Sequence, residues 1–256
     1  MLLGLALTSC ATTSAPPLPA LTMLSVEPVD YDYNLGGPAP FLDWTMPQDY
    51  LEQDFEGPLV KIDAYLFEVD RVSSDELDPE RPLSSAFVTT RADAERFMNE
   101  SKTSSQATLV NHQTLVAHEE QPANVSVINQ TAFISNFEVE QGNYSMVADP
   151  VVDVLTEGAV LCLLAPSVSS DSVHLEATLH TCQADKPFPE VQSRILAGTS
   201  LVTIQRPLVT SQELSFDAEL SPDQTLVVKC ESPNSRDSRL LVFLSASPVN
   251  SSQATN

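Results

Sequence analysis

Residues 59–69 read LVKIDAYLFEV, and the order of apolar and polar side chains in this stretch indicates its secondary structure. The apolar residues Val60, Ile62, Ala64 and Leu66 occupy alternate positions. Because successive side chains of a β-strand point to opposite faces of a sheet, a period of two predicts a strand with one buried face. The folded part of the chain is therefore expected to begin with such a strand.

Similar segments recur through the rest of the 256 residues, which can hold one large all-β domain or two small ones. Apolar runs between polar turns predict further strands at residues 107–110, 114–118, 125–128, 131–139, 160–164, 173–181, 201–205, 214–220, 226–230 and 240–244. Residues 77–85 predict a loop. Residues 91–99 predict one helix, with Thr90 as N-cap and Asp93 at its third position. This pattern predicts a mainly β, antiparallel fold with one short helix.

Two predicted strands have one apolar and one polar face. Val173, Leu175, Ala177 and Leu179 alternate with polar residues, and residues 214–220 show the same alternation. In a sheet of a water-soluble domain the apolar face packs on a core. In an outer-membrane barrel it contacts lipid while the polar face lines a lumen. The periodicity leaves both interpretations open.

The composition excludes one class of partner. The chain has 12 basic and 35 acidic residues, a formal net charge of −23. Nucleic acids are bound by patches of Lys and Arg, so a nucleic-acid partner is excluded. No stretch approaches the roughly 20 consecutive apolar residues that a membrane-spanning helix needs.

The first ten residues, MLLGLALTSC, resemble the end of a bacterial lipoprotein signal, although no Lys or Arg precedes the apolar run. The resemblance implies that residues 1–10 are a signal and that Cys10 carries the lipid. Ala11 follows the cysteine where Asp could stand, and this resembles the sorting pattern that sends lipoproteins to the outer membrane. Residues 11–58 contain eight prolines and predict an extended tether, and residues 250–256 predict a disordered tail.

The three other cysteines are Cys162, Cys182 and Cys230. Three thiols cannot all pair within one chain. A turn near Ser170 would place residue 179, rather than Cys182, opposite Cys162, so the existence of a disulfide between these two stays open.

Histidines are the main candidates for an active site, and their pattern predicts none. His112 and His118 lie around one predicted strand, and His174 and His180 lie on the polar face of another. No nucleophile elbow, phosphate loop or metal-ligand spacing accompanies them. We therefore predict no catalytic, cofactor-binding or metal-binding residues, and a protein that is not an enzyme.

Four segments, taken in order, resemble the bacterial secretins, the ring-forming outer-membrane channels of type II and type III secretion. The family's first strand has the form apolar-x-apolar-x-Ala-x-apolar-x-Glu-Val, and residues 60–69 are similar to it. The next segments look like the family's middle strands and its Asp/Glu-Gly turn, and residues 239–244 look like its terminal strand. The resemblance covers residues 59–249, and its motif residues are Ala64, Glu68, Val69, Ala123, Val125, Gln130, Glu157, Gly158 and Pro166.

Two departures from the family pattern are visible. The Gly-Gly pair after the late turn is replaced by Lys229-Cys230, and the Pro-Leu-Leu-Gly stretch is absent from residues 231–238. There is also no room before residue 59 for the periplasmic ring domains of full secretins.

The resemblance implies a secretin-type β-domain that assembles into a homo-oligomeric ring in the outer membrane, facing the periplasm. Other secretion-system components would be its partners, and the lipid anchor and some β-strands would contact the membrane. Glu213, Asp217 and Glu219 would then line an aqueous passage. The alternative is a lipid-anchored periplasmic scaffold or accessory protein that forms no pore, which the two departures favour.

Overall fold

The computed structural model describes residues 22–25, 29–31, 55–70, 85–103, 107–141, 146–194, 201–233 and 237–249. Within these ranges the chain forms thirteen strands and one helix, α1 (Arg91–Thr103). The strands are β1 (Thr22–Ser25), β2 (Val29–Tyr31), β3 (Leu59–Asp70), β4 (Ser85–Thr90), β5 (Ala107–His118), β6 (Ala123–Gln141), β7 (Met146–Val168), β8 (Val173–Ala184), β9 (Glu190–Arg194), β10 (Leu201–Gln205), β11 (Val209–Leu220), β12 (Gln224–Glu231) and β13 (Ser238–Val249). The predicted mainly β fold with one helix is confirmed.

The strands form two antiparallel sheets and a separate hairpin. Sheet 1 has the order β11-β8-β7-β6, and both β1 and β2 pair with the outer edge of β11. Sheet 2 has the order β4-β12-β13-β3-β5. The hairpin consists of β9 and β10.

The two sheets pack face to face around a shared apolar core. Val60, Ile62, Ala64 and Leu66 of β3 are 1% exposed or less, so the predicted buried face is confirmed. They lie in one cluster with apolar residues of β8, β11, β12 and β13. Two sheets that bury their inner faces against each other form a β-sandwich.

This core determines which way the apolar faces of β8 and β11 point. Leu175 and Leu179 of β8 and Leu214 and Phe216 of β11 are buried in the shared cluster. Their partners across the core belong to sheet 2 of the same chain. Of the two interpretations left open by the alternation, the structure supports packing on a protein core for these two faces.

Helix α1 covers the outer face of sheet 2. Thr90 caps its start as predicted: the Asp93 amide donates to Thr90 Oγ1 at 3.2 Å, and Thr90 Oγ1 donates to Asp93 Oδ2 at 2.7 Å. Ala94 and Met98 pack on Leu241 and Phe243, and the helix runs four residues beyond its predicted end. No helix in the described ranges has the length and apolar character needed to cross a membrane.

Several predicted breaks lie inside continuous strands. The strands predicted at 107–110 and 114–118 are both part of β5, and those predicted at 125–128 and 131–139 are both part of β6. The Asp/Glu-Gly turn expected at Glu157-Gly158 is also wrong, because both residues lie within β7. Strand pairing uses backbone groups, so polar side chains do not end a strand whose neighbour is in place.

Other strands were not predicted. Ser85, placed in a loop, begins β4, and residues 190–194 form β9. Within the predicted tether, β1 and β2 pair with β11 at the sheet edge, a position compatible with nearby prolines. Cys10, the rest of residues 11–54 and residues 250–256 lie outside the described part of the chain.

All three described cysteines are free and buried. Cys162 pairs across the ladder with Thr178, one residue from the predicted position, and Cys182 with Gly158, so the two thiols lie on different rungs. Burial, reinforced by a neighbouring carboxylate, raises the pKa of Cys162 to about 11 and the pKa values of Cys182 and Cys230 to about 12. A thiol with such a pKa stays protonated and unreactive near neutral pH.

We expect these three thiols to resist alkylation in the folded protein. In a Cys10→Ser variant treated with N-ethylmaleimide at pH 8, mass spectrometry should find no adduct in buffer and three adducts in urea. Rapid labelling of any one thiol without urea would contradict the packing described here.

Candidate functional site

Strands β6 and β7 extend beyond the sandwich as a two-stranded arm. They pair from Ala123↔Leu163 to Gln141↔Met146, whereas β8 pairs with β7 only as far as Gly158↔Cys182. We define the arm as residues 129–141 and 146–157. At roughly 3.4 Å per residue it is about 40 Å long.

Among the residues that the structure describes, no other strand forms a ladder with either long edge of the arm. On the β7 side, the ladder with β8 ends at Gly158. On the other side, β6 is itself the edge strand of sheet 1. One arm amide, that of Ile134, donates to Gln205 Oε1 at 3.1 Å. Unpaired strand edges are templates for pairing with another chain.

One face of the arm exposes apolar side chains to solvent. Val152 lies opposite Ile134, and Val154 lies opposite Ala132, so the four share one face. Val152 is 56% exposed and Val154 is 53% exposed. We call Ala132, Ile134, Val152 and Val154 the apolar stripe. β-branched residues on an exposed strand face suit burial against another surface.

The base of the arm is fixed to the body of the protein. Phe133 and Leu155 are buried in a second apolar cluster with Cys182, Ala184 and Phe188. The Phe133 and Phe188 rings meet edge to face, with centroids 5.9 Å apart. The apolar stripe therefore has a defined position relative to the sandwich.

Gly158 occupies the junction between arm and sandwich. Its φ is +132°, a backbone conformation that residues with a side chain rarely adopt. A Cβ atom there would lie 2.1 Å from the carbonyl oxygen of Val127. Both the conformation and the close approach of β6 require glycine.

Glu157 ends the ladder between β7 and β8. If that ladder continued, Ala184 would pair with Thr156. Instead, the Ala184 amide donates to Glu157 Oε1 at 2.9 Å. Lys186 Nζ lies 2.6 Å from Glu157 Oε2, and the Glu157 side chain is 6% exposed. The carboxylate thus replaces a main-chain acceptor at the point where the arm separates from β8.

A cavity of about 570 Å³ lies beside this junction. Asn129, Glu157, Gln183 and Lys186 are among the residues that line it, and its surface is mainly polar.

The predicted passage residues lie on the polar face of β8 and β11. Asp217 Oδ1 is 2.6 Å from His174 Nε2, and Glu213 Oε2 is 3.4 Å from His180 Nδ1. Ser172 Oγ donates to Glu219 Oε1 at 2.7 Å. Each of these three acidic residues thus has a polar partner, either on β8 or at Ser172, which directly precedes β8. That they line a passage remains a prediction.

One cluster on this face combines an imidazole with two carboxylates. The metal-ligating atoms of His174, Glu176 and Asp217 all lie within 4.8 Å of one another. The other two histidines lie elsewhere: His112 stacks on Tyr65 with centroids 3.9 Å apart, and His118 Nδ1 is 3.2 Å from the carbonyl oxygen of Gly57.

The motif residues of β3, the first strand of the secretin-like region, make contacts within the sandwich. Ala64 lies in the shared core, and Val69 packs in the cluster beneath α1. Glu68 Oε1 accepts a hydrogen bond from Ser232 Oγ at 2.8 Å.

The other motif residues lie within β6 and β7. Ala123 and Val125 begin β6 and contact the shared core, and Gln130 is exposed on the arm. Pro166 lies where the register between β7 and β8 shifts, because proline has no amide to donate to the ladder. Of these motif residues, Gln130 and Glu157 lie in the arm, and Gly158 lies at its junction with the sandwich.

The solved structures that are similar to this chain include two secretins. The InvG secretin domain β-barrel from the Salmonella SPI-1 injectisome NC-base aligns at 6% identity and a TM-score of 0.30, over 81% of this chain and 67% of that one. The V. cholerae type IV competence pilus secretin PilQ aligns at 10% identity and a TM-score of 0.26, over 80% of this chain and 66% of that one. No protein-family model and no curated protein matches the chain. Similarity at this level does not identify a function.

The strand predicted at residues 131–139 lies in the arm, but the second strand of the arm was not predicted from the sequence. This second strand, residues 146–157 of the arm, contains Pro150 and leads into Glu157-Gly158, which resemble breaks. The available signal was the alternation at Val152, Val154 and Thr156, which predicts a strand on the pattern used for residues 59–69.

We predict that Gly158→Ala destabilises the protein by about 2–5 kcal/mol, from backbone strain together with the clash on Val127. Gly57→Ala is the matched control, because Gly57 has a φ of +135° but its Cβ would meet only the Glu119 side chain, at 3.7 Å. Urea unfolding should show that Gly57→Ala lowers the free energy of unfolding by about 1–3 kcal/mol. Equal losses for the two variants would contradict the close approach of β6 at the junction.

Proposed function

We propose that this protein is a subunit of a homo-oligomeric ring whose arms pair side by side into a shared β-barrel, a secretin-like channel for protein secretion. The observation that supports the proposal is the arm, with two unpaired edges and an exposed apolar stripe.

The arm cannot satisfy its own backbone groups. A two-stranded hairpin alone is marginally stable in water and leaves one row of amides and carbonyls unpaired on each side. If the β6 edge of one arm pairs with the β7 edge of the next, the contact is head to tail. Head-to-tail contacts that close give a ring without a free edge.

In such a ring the apolar stripes of neighbouring arms would form a continuous band. The acidic face that carries Glu213, Asp217 and Glu219 would border the aqueous passage. The net charge of −23 is compatible with a water-filled conduit and disfavours polyanionic cargo.

We place the ring at the outer membrane, held there by lipid on Cys10 and acting with other components of a secretion system. The support for this placement is the resemblance of residues 1–10 to a lipoprotein signal and the secretin-like order of motifs in residues 59–249.

A second function also has a supporting observation. The apolar faces of β8 and β11 are buried within a core that one chain completes by itself. A lipid-anchored periplasmic scaffold needs only such a sandwich, and its arm would pair with a different protein.

Lysine substitutions on the stripe distinguish these functions. Val152→Lys/Val154→Lys should reduce the detergent-resistant oligomer of extracted membranes at least about tenfold on unheated gels, because pairing would bury unpaired charges. Val116→Lys is the matched control, since Val116 is 59% exposed on β5, outside the arm.

The comparison requires that the wild type, the double lysine variant and Val116→Lys unfold at similar temperatures. We expect this because the side chains of Val152 and Val154 are both more than half exposed. A wild-type protein that is extracted only as a monomer would overturn the ring. An oligomer that tolerates both lysines would overturn the role of the arm.

Lipidation is tested separately. Cys10→Ser should abolish metabolic labelling with a palmitate analogue and move the protein from the membrane fraction to the soluble fraction, whereas Thr12→Ser should change neither. Labelling that persists in Cys10→Ser would exclude this residue as the anchor.

A further inference from the structure

We propose that His174, Glu176 and Asp217 form a binding site for a divalent transition-metal cation, with Zn²⁺ as the best-matched ion. The inference is independent of ring formation, because all three ligands come from one chain.

The ligands are presented by two neighbouring strands. His174 and Glu176 are two residues apart on β8 and therefore share a face, and Asp217 of β11 is directly opposite Glu176. His174 Nε2 is 2.6 Å from Asp217 Oδ1, and the ligand atoms of all three residues lie within 4.8 Å of one another.

The backbone beneath the ligands is held in place. Strands β8 and β11 pair without a register shift from Val209↔Ala184 to Leu220↔Val173. On the opposite face, Val173, Leu175 and Ala177 are buried in the shared core. A metal site on paired strands with a packed reverse face needs only small side-chain rotations to close.

The donor set selects the class of ion. Zn²⁺ binds imidazole nitrogen and carboxylate oxygen at about 2.0–2.2 Å, often with three protein ligands and one water. Ca²⁺ and Mg²⁺ prefer oxygen ligands only, in shells of about six to eight. An imidazole grouped with two carboxylates therefore favours a transition-metal ion.

The local electrostatics also favour a cation. Glu176 and Asp217 are like charges directly opposite each other on paired strands, an arrangement that destabilises a sheet. Within the described ranges, Glu176 has no Lys, Arg or His partner within ion-pairing distance, and Asp217 has only the imidazole of His174. A divalent ion would balance both carboxylates.

The same strands supply an internal control. His180 and Glu213 form a second imidazole–carboxylate pair, with Nδ1 and Oε2 3.4 Å apart. This pair belongs to no group of three metal-ligating side chains in the described residues. Substitution of His180 should therefore leave the affinity for Zn²⁺ unchanged.

The test is isothermal titration of the full chain, without a polyhistidine tag, with ZnCl₂ at pH 7.5. We expect one saturable site per chain. His174→Gln and Asp217→Asn should each weaken it about tenfold or more, and His180→Gln less than about twofold.

Two results would overturn the proposal: no saturable binding by the wild type, or equal loss of affinity in His174→Gln and His180→Gln. Co²⁺ spectra provide a further check, since ligation through nitrogen and oxygen gives no thiolate charge-transfer band, and such a band would assign the ion to a cysteine instead. Circular dichroism of each variant without metal establishes that it is folded. None of these readouts changes if the protein forms no ring.

Discussion

The unequal pairing of β7 with its two neighbours is the constraint on which the architecture depends. β7 pairs with β6 along the whole ladder but with β8 only from Gly158 onward. One strand therefore belongs to a sandwich at one end and to a projecting arm at the other. Beyond the junction, β7 pairs with β6 on one side. On its other side, the described part of the chain supplies no strand to pair with its backbone groups.

The junction makes this division abrupt. Glu157 accepts the amide of Ala184, and the missing side chain of Gly158 lets β6 approach closely. Lys186 offsets the charge that Glu157 brings into a mostly buried position. A sheet that could continue on both sides of β7 is ended on one side by a single carboxylate.

Local patterns in the sequence were enough to predict most of the sandwich strands, although not β4. Val60, Ile62, Ala64 and Leu66 all contact the core because the period of a strand is fixed by its backbone. The second strand of the arm was not predicted in this way, because Pro150 and Gly158 disfavour a strand unless β6 lies alongside them. The same holds for the cluster of His174, Glu176 and Asp217, whose third member is 41 residues further along the chain and is placed by cross-strand register. Only the spacing of His174 and Glu176 was visible beforehand.

If Cys10 carries the proposed lipid, the strands that cover the edge of β11 determine the length of the tether between that lipid and sheet 1. Thr22 already pairs with Asp217, so twelve peptide steps separate a lipid on Cys10 from sheet 1. At about 3.3–3.6 Å per residue, that length of chain spans at most about 40 Å. A copy anchored through the proposed lipid would therefore keep the β11 edge of its sandwich near the bilayer surface, which would restrict how copies are oriented relative to one another.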